Sequence, residues 1–286
     1  MVTRDTRTAA NQVPPAAAGL PSRDEIDDLS IEYPSSDGEP MAESQLQYTP
    51  LTDTVSALEN YFIERSDVFI AGDLLVYYWM NDNRTRVAPD VFVVFGASGN
   101  HPRDSWLVWR EGKAPDFVME IASPSTWERD AVKKREIYAN MGVTEYWRFD
   151  PTGECFTPEL VGETLVEGQY RELPLERDVE GRLWGRSAVL GLDIYTLPGL
   201  ELRLYDPADR KWLLTPRENE KARLAAVAAH LESEEARLAA ETAQQESEEA
   251  RLAAEAALQE SESSRQQLEA ENERLREQWR SLQSGQ

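Results

Sequence analysis

The sequence predicts an α/β (α+β) domain with a mixed central β-sheet flanked by helices, followed by a long C-terminal helix or coiled coil. Three observations carry this. Helical spacing appears near residue 51 and again after residue 126, with short apolar runs cut by Gly, Pro and Asp between and beyond them. Seven of the eight Trp lie between residues 49 and 215, which marks where a core can be built. From residue 217 onward Trp279 is the sole aromatic, and a 14-residue repeat begins.

The elements follow in chain order. Residues 1–48 are rich in Pro, Ala, Ser and acids and read as a disordered leader. In residues 49–215, Val55, Leu58, Tyr61 and Phe62 stand at helical spacing behind Thr52, Asp53 or Thr54 as N-cap. Two apolar runs about Gly72-Asp73 predict a hairpin. Pro89-Asp90 opens a strand through Phe95, and Trp106 to Trp109 is a short strand. A further strand runs from Asp116 to Ala122. Ser123-Pro-Ser-Thr126 breaks it and caps a helix from about Trp127 to Asn140, with Gly142 as its stop. Glu145 to Phe149 is the next strand, and the Gly- and Pro-separated apolar pieces up to Leu213 form a β meander.

Residues 217–286 predict a long helix. Leu224, Leu231, Leu238 and Leu252 share one heptad position, interrupted by Gln245 and Gln259. Leu268, Leu275 and Leu282 form a second series in a shifted register. The tail reads either as a weak coiled coil, making the chain a homodimer or binding a helical partner, or as a solvated charged helix.

Composition narrows the function. The net charge of −23 opposes broad coating of nucleic acid, although a local basic patch remains compatible with it. A single cysteine, Cys155, excludes an internal disulfide framework and a multi-cysteine metal site, and fits a reducing compartment. No apolar run approaches membrane-spanning length, and Arg4 and Arg7 are followed by no apolar signal core. A cytoplasmic location is the expectation.

The chemistry-bearing pattern is a pair of acid-bearing strands and a lysine. Glu120 sits inside the apolar run Phe117 to Ile121, where a charge is costly unless it is paired or binds a metal. If its strand neighbours that of Asp90, both carboxylates converge at one end of the sheet. Such oxygens suit Mg²⁺, with Mn²⁺ an alternative. On the following helix Lys134 shares a face with Ile137 and Tyr138, whereas Lys133 falls on the polar face with Arg129 and Glu136. Lys134 could orient a water or stabilise the transition state.

The segment Pro115-Asp-Phe-Val-Met-Glu-Ile-Ala-Ser-Pro-Ser-Thr126 resembles the Uma-two family. So do Arg129-Asp130, Lys134-Arg135, Tyr138, Gly142-Val-Thr-Glu-Tyr-Trp147 and Asp150-Pro151. The resemblance covers about Thr52 to Thr215. It implies a restriction-endonuclease-like core of the PD-(D/E)XK nuclease superfamily, Asp90 and Glu120 as metal ligands, Lys134 as catalytic lysine, and DNA as substrate. Ala122 occupies the literal lysine position of the motif, and Val55 stands where relatives carry His. An acid of the first helix often joins such sites. Glu59 is the first candidate, with Glu64 and Asp73 behind it.

Other chemistries fit less well. Asp116 is a strand-start residue about 13 Å along the strand from Glu120. Asp130 suits a helix N-terminus. No nucleophile elbow surrounds Ser123 or Ser125, and His101 and His230 give neither a hydrolase base nor a zinc set. Beside the Mg²⁺-dependent endonuclease stand two alternatives: a non-catalytic nuclease-fold scaffold acting through the tail, and a nuclease acting on RNA.

Overall fold

A computed structural model of the chain describes residues 26–36, 44–99, 101–125 and 127–284. The chain forms two compact units, Met1–Asn219 and Glu220–Gln286. The described elements are α1 (Gln45–Tyr61), β1 (Val68–Ala71), β2 (Val76–Tyr77), β3 (Arg86–Val87), β4 (Val91–Phe95), β5 (Trp106–Leu107), α2 (Val108–Glu111), β6 (Phe117–Ile121) and α3 (Trp127–Met141). They continue with β7 (Glu145–Phe149), β8 (Leu160–Val166), β9 (Gln169–Glu172), β10 (Leu175–Arg177), β11 (Leu183–Ser187), β12 (Leu192–Leu197), β13 (Glu201–Asp206), β14 (Lys211–Trp212) and α4 (Pro216–Ser284). The architecture is mixed α/β. No described helix is long and apolar enough to cross a membrane.

The central sheet has the order β1-β4-β6-β7-β8-β9. Its one parallel pair is β6 with β7, joined through α3; the other neighbours run antiparallel. Side chains alternate between the two faces. Val91, Val93, Phe117, Met119, Ile121, Trp147 and Phe149 face α1 and the five-stranded meander β10 to β14. Phe92, Val94, Val118 and Tyr146 face Ile137 and Tyr138 of α3, with Trp106 beside them. Every residue of β6 is therefore buried, as in a strand covered on both sides.

Trp147 seats the meander on this sheet. A Cβ at Gly162 would lie 2.7 Å from its ring, and one at Gly185 would lie 2.9 Å from it. Glycine is required at both places because the indole lies against backbone from β8 and β11. Gly142, at φ +82°, ends α3 in the left-handed conformation, and the Val143 N–H closes the turn on Tyr138 O at 3.0 Å.

Several elements depart from the sequence reading. β1 and β2 do not form a hairpin: β1 pairs with β4, and β2 joins β3 and β5 in a separate sheet. The chain breaks at Gly72-Asp73 because Asp73, at φ 51°, turns its N–H onto Pro89 O and Asp90 O. Trp106-Leu107 is a strand, but Val108–Glu111 turns into α2. Residues 26–36, expected within a disordered leader, pack on the domain. Tyr33 stacks its edge on Tyr77, Asp27 pairs with Arg110, and the Tyr77 hydroxyl donates to Pro34 O at 2.7 Å. The remainder of that segment through residue 43 lies outside the described residues. Finally, α1 starts at Gln45, before Pro50. Pro50 lacks the N–H that would bond Leu46 O, so the sequence places a helix start after it; the helix runs through.

The second unit is the body of α4. Each repeat sets an arginine on the glutamate three residues before it: Arg223 on Glu220, Arg237 on Glu234 and Arg251 on Glu248. Leu224, Leu231, Leu238 and Leu252 are each more than half exposed.

Candidate active site

Strand register builds the site. The pairing of β4 with β6 ends at Val91↔Met119, and one step further sets Asp90 opposite Glu120. By the two-residue period both belong to the face covered by α3. The α3 spacing then brings Lys134 and Tyr138, one turn apart, over Glu120. Lys134 Nζ lies 2.7 Å from Glu120 Oε2 and 3.3 Å from Ala88 O. The Tyr138 hydroxyl donates to Glu120 Oε1 at 2.5 Å. Asp90 Oδ2 accepts the Ile121 N–H at 2.6 Å. Lys133 is exposed.

The acids are perturbed by their surroundings. Glu120 is 8% exposed. Burial pushes its carboxyl up to about 8, against the pull of the Lys134 ammonium and with help from the Asp90 charge. Burial also raises Asp90, opposed by the Lys134 ammonium and by the hydrogen bond from the Ile121 N–H. The Tyr138 phenol is raised well above its ordinary value by burial and by Glu120.

A cleft opens on this group at the C-terminal end of β6, lined among others by Gln47, Asp90, Glu120, Ser123, Lys134 and Arg148. It leaves about 80 Å³ open to water-sized molecules, room for an ion with a few waters. Sequence reasoning did not single out two of its residues. Gln47 comes from the first turn of α1 and donates to Ile121 O at 3.4 Å. The signal for it was Ser44 followed by Gln47, a capping-box pattern, although Ser44 makes no side-chain cap bond. Arg148 of β7 is in register with Glu120. Its guanidinium reaches Glu163 at 3.3 Å and lies over the Tyr146 and Phe156 rings, and its buried Nε has no hydrogen-bond partner among the described residues.

The acid expected from the first helix is not at the site. Glu59 is exposed and lines a separate groove with Phe62, Ile63 and His101. It lies three turns beyond Gln47, where α1 has left the end of β6. Glu64 follows α1 and is likewise exposed. Asp73 is nearest of the three: two steps past Ala71↔Phe92 it falls opposite Asp90, and its charge raises the Asp90 carboxyl. Asp116 serves the fold, accepting the Phe95 N–H at 2.7 Å and the Lys113 ammonium at 2.8 Å. The Asp130 side chain lies outside the described residues, as does Thr126. Among the described residues, no three His, Cys, Asp or Glu side chains converge to hold a metal.

No curated protein matches the chain. Among solved structures it is similar to a protein from Anabaena variabilis described as a putative nuclease belonging to DUF820. The two share 14% identity at a TM-score of 0.32, over 65% of this chain and 83% of that one. A family match covers residues 20–190, under the description "Putative restriction endonuclease". That match takes in more than half of the chain, which therefore belongs to the Uma2 family.

Proposed function

We propose that the chain is a divalent-metal-dependent endonuclease that hydrolyses DNA phosphodiester bonds, with Asp90, Glu120 and Lys134 as its catalytic residues. The supporting observation is the opposition of Asp90 and Glu120 across adjacent strands under one lysine. Two carboxylates without nitrogen or sulfur donors fit Mg²⁺ or Mn²⁺, which take one or two carboxylates and keep several waters. An ion held there supplies Lewis-acid polarisation of a phosphoryl oxygen.

The protein's own groups do the rest. Asp90 is fixed by the Ile121 N–H, so its orientation is set by the sheet. Lys134, beside Glu120 at the cleft, meets developing negative charge on the phosphate. Arg148 lines the cleft, and its guanidinium binds a phosphate oxygen. Arg148→Ala is expected to raise KM for plasmid DNA about tenfold with kcat little changed. An unchanged KM in a variant of unchanged thermal stability removes Arg148 from the substrate site.

The pH dependence has a definite sign. Glu120 must be deprotonated to hold a cation, and its folded-state carboxyl titrates at about 8. Metal affinity is therefore fully present only well above about pH 8 and is lost as pH falls through it, by roughly tenfold per unit below. Calorimetry in two buffers of different ionisation enthalpy should show close to one proton released per Mg²⁺ at pH 7. Affinity that is flat between pH 6 and 8, without proton release, takes Glu120 out of the ligand set.

A second reading draws on the same contacts. Both Glu120 oxygens already have donors, Lys134 and Tyr138, so the group can stand as a buried structural ion pair in a scaffold that acts through its tail. The two readings separate cleanly. Supercoiled plasmid nicked with Mg²⁺ or Mn²⁺ and protected by chelator supports the nuclease. No cleavage of any DNA form, together with a Tm insensitive to either ion, supports the scaffold; cleavage of RNA alone moves the substrate class.

A further inference from the structure

We infer that residues 268–282 of α4 form a parallel, in-register two-stranded coiled coil with a second copy of this chain, and that Asn272 sets both orientation and register. The inference is independent of the catalytic reading. With Leu268, Leu275 and Leu282 at heptad position d, position a holds Arg265, Asn272 and Trp279. Leu268 is 60% exposed, Leu275 56% and Trp279 64%; from Leu268 to Trp279 the seam is apolar apart from Asn272, and Arg265, at the preceding position a, bounds it. A lone Asn at position a is a register and oligomer-state device.

Orientation follows from what Asn272 would face. In a parallel in-register pair, position a meets itself, and the two Asn272 amides bond each other. In an antiparallel pair, a meets d, and Asn272 would be buried against leucine with its amide unanswered. Charge alone does not choose. The parallel pair sets Glu271 at g against Arg276 at e of the partner subunit, twice by symmetry; the antiparallel pair can set Glu269 against Arg276. The buried amide decides for parallel.

The same count locates the contact. Carrying Leu224, Leu231, Leu238 and Leu252 at d puts Glu235 and Glu249 at a, where each would face its own copy. Like charges across the seam oppose pairing there. Specification therefore lies in the last 20 or so residues of the helix, and both chains of a dimer enter the coil from the same end.

The test uses the whole 286-residue chain. Wild type is expected at twice the chain mass of 32.4 kDa in sedimentation equilibrium at about 50 µM, and Leu268→Glu with Leu275→Glu at the monomer mass with an unchanged globular-unit melt. Nitroxide labels at Ser263→Cys and Glu277→Cys, each in a Cys155→Ser background, should both give short intermolecular distances. An antiparallel pair forces axial offsets at the two sites that total about 40 Å. Asn272→Leu should yield species above the dimer. A wild-type monomer, a dimer that survives the double glutamate change, antiparallel distances, or a strictly dimeric Asn272→Leu protein would each overturn the assignment.

Discussion

Glu120→Gln and Asp90→Asn are each expected to lower metal-dependent plasmid cleavage by about a thousandfold, equivalent to about 4 kcal/mol of transition-state stabilisation. Both changes keep side-chain volume and remove one negative charge from a pair that faces across β4 and β6. A two-carboxylate site has no spare ligand, since no third His, Cys, Asp or Glu converges on it among the described residues. Loss of either acid should thus remove the ion as well as the rate. The double variant should be little worse than each single one, because groups acting as a unit are not additive. Lys134→Ala should lose activity while still binding Mg²⁺, and exposed Glu59→Gln, in a separate groove, should behave as wild type. The idea fails if Glu120→Gln retains more than about a tenth of the activity with an intact fold, or if Glu59→Gln loses as much as the site acids.

Much of this site was legible because period and register are local properties. Helical spacing distinguishes Lys134 from Lys133 without any tertiary information, and the structure puts the former on Glu120 and the latter in solvent. The strand after α3 and the antiparallel meander also follow from Gly and Pro punctuation. What was not legible depends on long-range pairing. Gly72-Asp73 has the chemistry of a hairpin turn, yet its strands part because β4, some 20 residues later, is the better partner for β1. Glu59 and Gln47 sit on one helix, and only the packing of α1 against β6 decides which reaches the cleft. Arg148 lies in a strand whose sequence gives no sign that its neighbour in register is Glu120. Helical spacing puts Tyr138 on the packing face of α3, and it is also the second donor to Glu120.

The largest expected loss of stability comes from a residue that reads as an ordinary strand start. Glu145→Ala should destabilise the globular unit by about 4 kcal/mol, a large part of the 5–15 kcal/mol typical of a domain. By the two-residue alternation Glu145 shares the face of Trp147 and points at the meander. It is 2% exposed. Oε1 accepts the Ala188 N–H at 2.8 Å and the Val189 N–H at 3.0 Å. Oε2 accepts the Ser187 hydroxyl at 2.6 Å and the Trp147 indole N–H at 3.0 Å. Truncation leaves these donors buried without an acceptor, each costing about 1–3 kcal/mol before relaxation. Glu145→Gln should recover part of the loss, since its carbonyl replaces one oxygen. Recovery stays incomplete because the indole is donor-only and would face the new amide N–H₂ if that group took the Oε2 place. Urea denaturation followed by Trp fluorescence measures both. Because Trp147 also seats against Gly162 and Gly185, its emission should shift with the same transition. A Glu145→Ala loss below about 1 kcal/mol would show that water reaches the pocket and satisfies the donors, and the meander would then be held by apolar packing alone.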